Sequence, residues 1–154
     1  MLCILDKHLK LSPKDSKTNI PLPFFIEKEA EELVIEFSYS PKTPEDEPLE
    51  LRIAKENIER DAPGEWGKGF DPKTFLPLKN LITVSLDDPD GYRGCAHRQP
   101  PEQIHILAEH TASPGFYPDK IKPGAWSLTL NVHALITETC DIRVKVSVRG
   151  EGEV

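Results

Sequence analysis

The chain has 154 residues, 38% hydrophobic and 29% charged, with a net charge of −7 and a pI near 5.2. That length supports one domain whose core is large enough to fold unaided. The acidic balance speaks against nucleic-acid binding, which needs clustered cations; Arg143, Lys145 and Arg149 form only a modest, alternating set.

No apolar run approaches the length of a membrane span, so no membrane partner is expected. Cys3, Cys95 and Cys140 are odd in number and widely spaced, unlike a secreted disulfide framework. The opening MLCILDKHLK is too short in apolar residues for a signal peptide, and a reducing cytoplasm is the expected compartment. Fifteen prolines against nine glycines, with short apolar runs between them, point to strands and loops.

In chain order, Leu9 and Leu11 alternate with polar residues as in a first strand. PKDSKTNIPLP reads as a loop leading into Phe24, Phe25 and Ile26, and EKEAEE as a charged turn. LVIEFSYS is the first strong strand, with Leu33, Ile35, Phe37 and Tyr39 on one face and Pro41 ending it. Leu49, Leu51 and Ile53 alternate like a short strand, while KENIERD can continue as a helical turn; the period decides neither. DAPGEWGKGFDPKTFLPLKN is a long loop, of the kind that is often functional.

LITVSLDD carries Ile82, Val84 and Leu86 on one face, and DPDG supplies a tight turn into YRGCAHR. QIHIL is a further short strand, followed by the proline-rich loop EHTASPGFYPDKIKPG. Two clean strands close the chain. In one, Trp126, Leu128, Leu130, Val132 and Ala134 oppose Ser127, Thr129, Asn131 and His133. In the other, Ile142, Val144, Val146 and Val148 oppose Arg143, Lys145, Ser147 and Arg149, and residues 149–154 read as a frayed tail. Roughly seven to nine strands at this spacing fit an all-β antiparallel sandwich, jelly-roll-like in outline, with residues 45–79 as a long inserted loop.

The phrases AEELVIEFSYSP, LDDPDGYRG and TASPGFYPDKIKPGAWSLTLNVHAL, in that order, resemble the β-sandwich domain that precedes the hydrolase domain of PHP-type metal-dependent phosphoesterases of the CehA/McbA kind. The likeness covers half to two-thirds of the chain. It implies a sandwich fold and an accessory or binding role beside a PHP-type hydrolase. The segment 45–79 departs from that pattern as an insertion, CAHR stands where relatives have a Trp-Ser-Gly-Gly-type turn, and Thr139 precedes Cys140 where a glycine is usual. None of the five histidines forms the H-x-H metal motif of the hydrolase domain, so no hydrolase activity carries over.

Each site candidate has a plain alternative. Trp66, in GEWGKGF with Glu65 and Lys68 beside it, suits a stacking site for a sugar ring or a partner's pocket, or else a loop anchor. Arg93, Arg98 and Tyr117 complete a candidate ligand-binding set. Cys95 and His97, two apart on one strand, could enter a zinc site, and Asp87 and Asp90 a calcium loop. Paired C-x-x-C spacing and the later acidic ligand of a calcium loop are both missing, so a half-buried thiol and an ordinary turn are the simpler readings. Ser113 near Glu109, His110 and Tyr117 lacks a nucleophile elbow, and no catalytic residue or cofactor is assigned. Three functions compete: an accessory module acting on a protein partner or as a homodimer, a carbohydrate-binding module using Trp66 and the 61–79 loop, and a small metal-dependent enzyme around Cys95 and His97.

Overall fold

A computed structural model describes residues 1–97 and 100–150, and for Trp66 the backbone alone. Its elements are β1 (Leu2–Leu11), β2 (Thr18–Ile26), β3 (Glu32–Ser40), α1 (Glu47–Asp61), β4 (Leu81–Asp88), β5 (Gly91–Ala96), β6 (Glu102–Ala108), β7 (Gly124–Ala134) and β8 (Cys140–Arg149). Short 3₁₀ turns lie at Pro13–Asp15, Gly64–Gly69 and Pro72–Phe75. The strands form two four-stranded antiparallel sheets, ordered β1-β8-β3-β6 and β2-β7-β4-β5. The all-β sandwich expected from the strand spacing is the fold observed.

Period-two alternation builds the core. Leu33, Ile35, Phe37 and Tyr39 of β3 and Ile142, Val144, Val146 and Val148 of β8 face inward from one sheet. Trp126, Leu128, Leu130 and Val132 of β7, with Ile82, Val84 and Leu86 of β4, face inward from the other. Fully burying each such side chain stabilises by about 1.5–3 kcal/mol, which fixes the register, since a one-residue slip would turn every apolar side chain outward. Trp126 sits in this core as its parity requires, its indole N–H donating to the Lys122 carbonyl at 2.9 Å.

Three readings of the sequence change. The segment 18–23 is not a loop but the first part of β2, whose full length pairs with β7. Pro21 and Pro23 are tolerated because β2 is an edge strand and their missing donors face no neighbour. Residues 49–53 are helical. Asp46 caps α1 by accepting the Leu49 N–H at 3.1 Å, and Pro48 favours the first turn, so the start signals override a short alternation. Arg149 belongs to β8, paired with Glu31 at 3.1 Å and Glu32 at 3.3 Å; residues 151–154 of the expected tail lie outside the described residues.

The segment between β3 and β4 leaves and re-enters the sandwich at one neck. Asn80 N–H donates to the Lys42 carbonyl at 2.8 Å, and the Asn80 amide, fully buried, donates to Pro41 O at 2.8 Å and Thr137 Oγ1 at 2.9 Å. Its carbonyl oxygen accepts from Ile136 N at 2.7 Å, and Lys42 Nζ reaches the Tyr39 hydroxyl and Asn80 O. Beyond the neck, α1 packs on the 3₁₀ turns of its own segment, and the buried Glu50 carboxylate accepts Leu78 N–H at 2.8 Å.

The sheet edges are each managed differently. Pro21 and Pro23 blunt β2. The 115–117 loop bonds β5 (Cys95 N to Gly115 O, Tyr117 N to Arg93 O), and the 111–113 loop bonds β6 (Ser113 N to Ile106 O, Ala108 N to Thr111 O). Along β1, the register shifts between Cys3 and Leu5, and Lys7 occupies an inward parity between Leu5 and Leu9.

Candidate functional site

The strongest local construction joins the two sequence phrases LDDPDGYRG and SPGFYPDKIKPGAW. Arg93 sits at a bulge in the β4–β5 hairpin, between Leu86–Gly94 and Asp87–Tyr92 pairs. Its guanidinium lies 3.1 Å from the Asp88 carboxylate, with both side chains 4% exposed. Arg93 also donates to the carbonyls of Tyr117 (3.0 Å), Asp119 (3.0 Å) and Lys120 (3.1 Å), and lies 5.4 Å from the centre of the Trp126 ring. The other Asp88 oxygen accepts Asp90 N at 2.7 Å and Gly91 N at 2.9 Å, closing the turn. Gly94 and Gly115 allow the hairpin and loop backbones to touch. Both have positive φ, and a Cβ at Gly94 would meet Gly115 O at 2.2 Å.

This knot changes the part assigned to two candidates, Arg93 and Asp90. Arg93, expected to contact a ligand, is buried and holds the fold, because its donors meet a buried carboxylate and three backbone carbonyls. Asp90 pairs with Lys122 at 2.8 Å, and Lys122 also reaches Asp119 at 3.1 Å and Asp88 at 3.7 Å, so these carboxylates face an ammonium rather than an open loop. Bonding to Asp90 and Asp119 holds the Lys122 pKa well above the usual lysine range. Among the described residues, no three His, Cys, Asp or Glu side chains are grouped to hold a metal.

Other candidates do converge. On the outer face of the β2-β7-β4-β5 sheet, register sets Pro23, Ser127, Asp87 and Tyr92 in one row, and Pro21, Thr129, Ser85 and Cys95 in the next. A third row holds Asn19, Asn131 and Thr83. Tyr117 comes from the loop to meet Tyr92 edge-on, ring centres 6.0 Å apart, and the two rings are 56% and 55% exposed. Arg93 fixes Tyr117, its carbonyl accepting Tyr117 N–H and its Nε donating to Tyr117 O, both at 3.0 Å. Hydrogen bonding with the Cys95 thiol, then burial, pushes the Tyr92 phenol up to about 12.

At the far end, His97 lies 6.5 Å from His133, whose Nε2 shares a 2.8 Å hydrogen bond with the buried Thr83 hydroxyl. His133 was absent from the sequence-derived site. Its outward parity beside Asn131 and Thr129 was legible, but its nearness to His97 comes from pairing strands distant in sequence.

The two outer faces differ in chemistry. The β1-β8-β3-β6 face bears Asp6, Lys10, Glu36, Glu102, Arg143 and Lys145, with Arg143–Asp6 at 3.5 Å and Lys10–Asp141 at 4.0 Å. Its groove of about 670 Å³ is lined by Glu36, Glu102, Arg143 and Lys145 and also by the exposed Ile104. The opposite face presents hydroxyls, amides and aromatic rings, and Asp87 is the one carboxylate in its described strand rows. One face is thus charged and cross-paired, while the other carries a single carboxylate in its described rows and two exposed tyrosines in mutual contact.

The remaining candidates lie elsewhere. Glu65 and Lys68 pair with each other at 2.6 Å on the exposed Gly64–Gly69 turn, apart from the tyrosines. The Trp66 side chain and Arg98 lie outside the described residues. Ser113 Oγ accepts Ile106 N–H at 2.9 Å and so serves the β6 edge.

No family model matches the chain, and no curated protein matches it. Among solved structures it is similar to the GEBA250068378 protein from Sulfurospirillum deleyianum, at 11% identity and a TM-score of 0.33, over 94% of this chain and 98% of that one.

Proposed function

We propose that this chain is a non-catalytic binding module that meets its ligand with the outer face of the β2-β7-β4-β5 sheet. The observation that carries the reading is the contrast between the two faces: one charged and cross-paired, the other polar, with Asp87 as the one carboxylate in its described rows, and rimmed by Tyr92 and Tyr117. The strand order, with every successive pair except β4 and β5 changing sheets, supports a jelly-roll wiring. An accessory role beside a PHP-type hydrolase is supported by the resemblance of LDDPDGYRG and SPGFYPDKIKPGAW, which meet as the Arg93 knot. The nearest approach to a catalytic pair, Thr83 with His133, has its hydroxyl buried, and no carboxylate among the described residues orients His133.

The test plants a charge in each face. Thr129→Arg should abolish capture of a PHP-type hydrolase, or of another partner identified by mass spectrometry, while Lys145→Glu leaves it intact. Loss with Lys145→Glu alone would move the binding surface to the charged sheet. Turnover of a phosphodiester with manganese, removed by His97→Ala, would overturn the non-catalytic reading.

A further inference from the structure

We infer that this same outer face takes an uncharged, polyhydroxylated chain, an oligosaccharide, with Tyr92 and Tyr117 as its stacking platform. The inference rests on the binding-face reading above and adds the ligand's chemistry.

Hydrogen-bonding inventory is the first ground. Ser127, Thr129 and Ser85 hydroxyls, with the Asn131 amide, each both donate and accept, as the hydroxyls of a sugar do. They stand on neighbouring strands in successive rows, so their spacing is set by the sheet. Asn131 Nδ2 lies 3.4 Å from Ser85 Oγ, a long contact that leaves both groups able to take a ligand hydroxyl.

Charge is the second. A nucleic acid or phosphorylated ligand calls for a basic surface, and none is present on these rows. An acidic or basic peptide would likewise need counter-charges, which lie on the opposite sheet. An uncharged ligand brings no ion of its own to desolvate and sets no charge against Asp87.

Shape and rigidity are the third. Exposed rings offer apolar faces to the C–H faces of sugars, while the phenol oxygens remain hydrogen-bonding groups. Arg93 holds the Tyr117 backbone on both sides, and Tyr117 packs edge-on against Tyr92, so the platform is ordered before ligand arrives. The surface is an open sheet rather than a closed cavity, which suits a chain lying across the strands.

The experiment is an amide-resolved NMR titration of the full chain with cellohexaose, xylohexaose, mannohexaose and chitohexaose, with heparin as a charged control. At least one neutral oligosaccharide should shift amides in 83–87, 92–96 and 127–133, with heparin silent. Tyr92→Ala and Tyr117→Ala should each weaken that binding about tenfold, and Asn131→Ala severalfold, with spectra retaining native dispersion. If none of the sugars at millimolar concentration moves those amides, yet Thr129→Arg still abolishes a protein complex, the sugar assignment is overturned and the binding-module reading stands. Silence in both overturns both. Shifts confined to the charged sheet also overturn the assignment.

Discussion

Arg93 is the residue whose replacement tests the reasoning most sharply. In Arg93→Met, the Asp88 carboxylate stays in a site where it is 4% exposed, and the carbonyls of Tyr117, Asp119 and Lys120 lose their donor. Breaking a buried pair by removing one partner costs about 3–5 kcal/mol. Lys122, 3.7 Å from Asp88, screens part of the stranded charge, and water reaches the half-buried carbonyls, so about 3–4 kcal/mol is expected. For a chain of this size that lowers Tm by roughly 6–16 °C. Urea unfolding followed by circular dichroism gives the free energy, and hydrogen exchange should show lost protection across 117–122. Adding Asp88→Asn keeps the side-chain oxygen for the turn while removing the charge, and should recover about 1–2 kcal/mol. A loss under about 1 kcal/mol in the single variant, or no recovery in the double, would refute the account.

Further outcomes follow from the neck, the phenol and the buried thiol. Because Asn80 N and Lys42 O are already 2.8 Å apart, replacing 43–79 by a short Asn-Gly-type turn should leave the strand spectrum intact by circular dichroism; an unfolded product would show that α1 supports the sandwich. The Tyr92 phenol should ionise at about 12 by ultraviolet titration, and Cys95→Ala should draw it towards 10; an unchanged midpoint would exclude the thiol as the cause. The sign is that of a raised pKa: whatever stability the neutral phenol contributes is whole below pH 10 and fades as pH rises through about 12. Burial above all raises the Cys140 thiol and seals it, so a disulfide reagent should modify Cys3 and Cys95 in the native protein and Cys140 only after denaturation.

Strands buried on one face were the most legible part of the chain. In β3, β4, β7 and β8 the apolar residues recur at every second position, and Trp126 announced its burial by parity alone. Two segments misled for opposite reasons. Prolines made β2 look like a loop because its status as an edge depends on a partner more than a hundred residues away. Leu49, Leu51 and Ile53 looked like a strand because three alternating positions are too few to outvote a cap.

From sequence, Tyr117 stands as a ligand contact and Cys95, His97 and Asp87 as weak metal candidates; register brings them to one sheet face or its loop rim. Arg93 reads from sequence as a ligand contact because nothing local marks the bulge that turns its side chain under the 117–120 loop. The hydroxyl rows were visible as outward residues of β7 and β4. Their meaning appears only when the other sheet's charges are set beside them.

The guarded edges have a consequence for how copies of this molecule meet. A prolyl ring, a loop or an inward lysine stands where a neighbouring strand would have to zip on. Growth by strand addition, the geometry of fibrils, is therefore obstructed at both ends of both sheets. Copies that associate are left with the sheet faces and loops as contact surfaces, where no edge-to-edge ladder propagates. Crowding this protein should yield discrete particles in solution and no thioflavin-positive fibres.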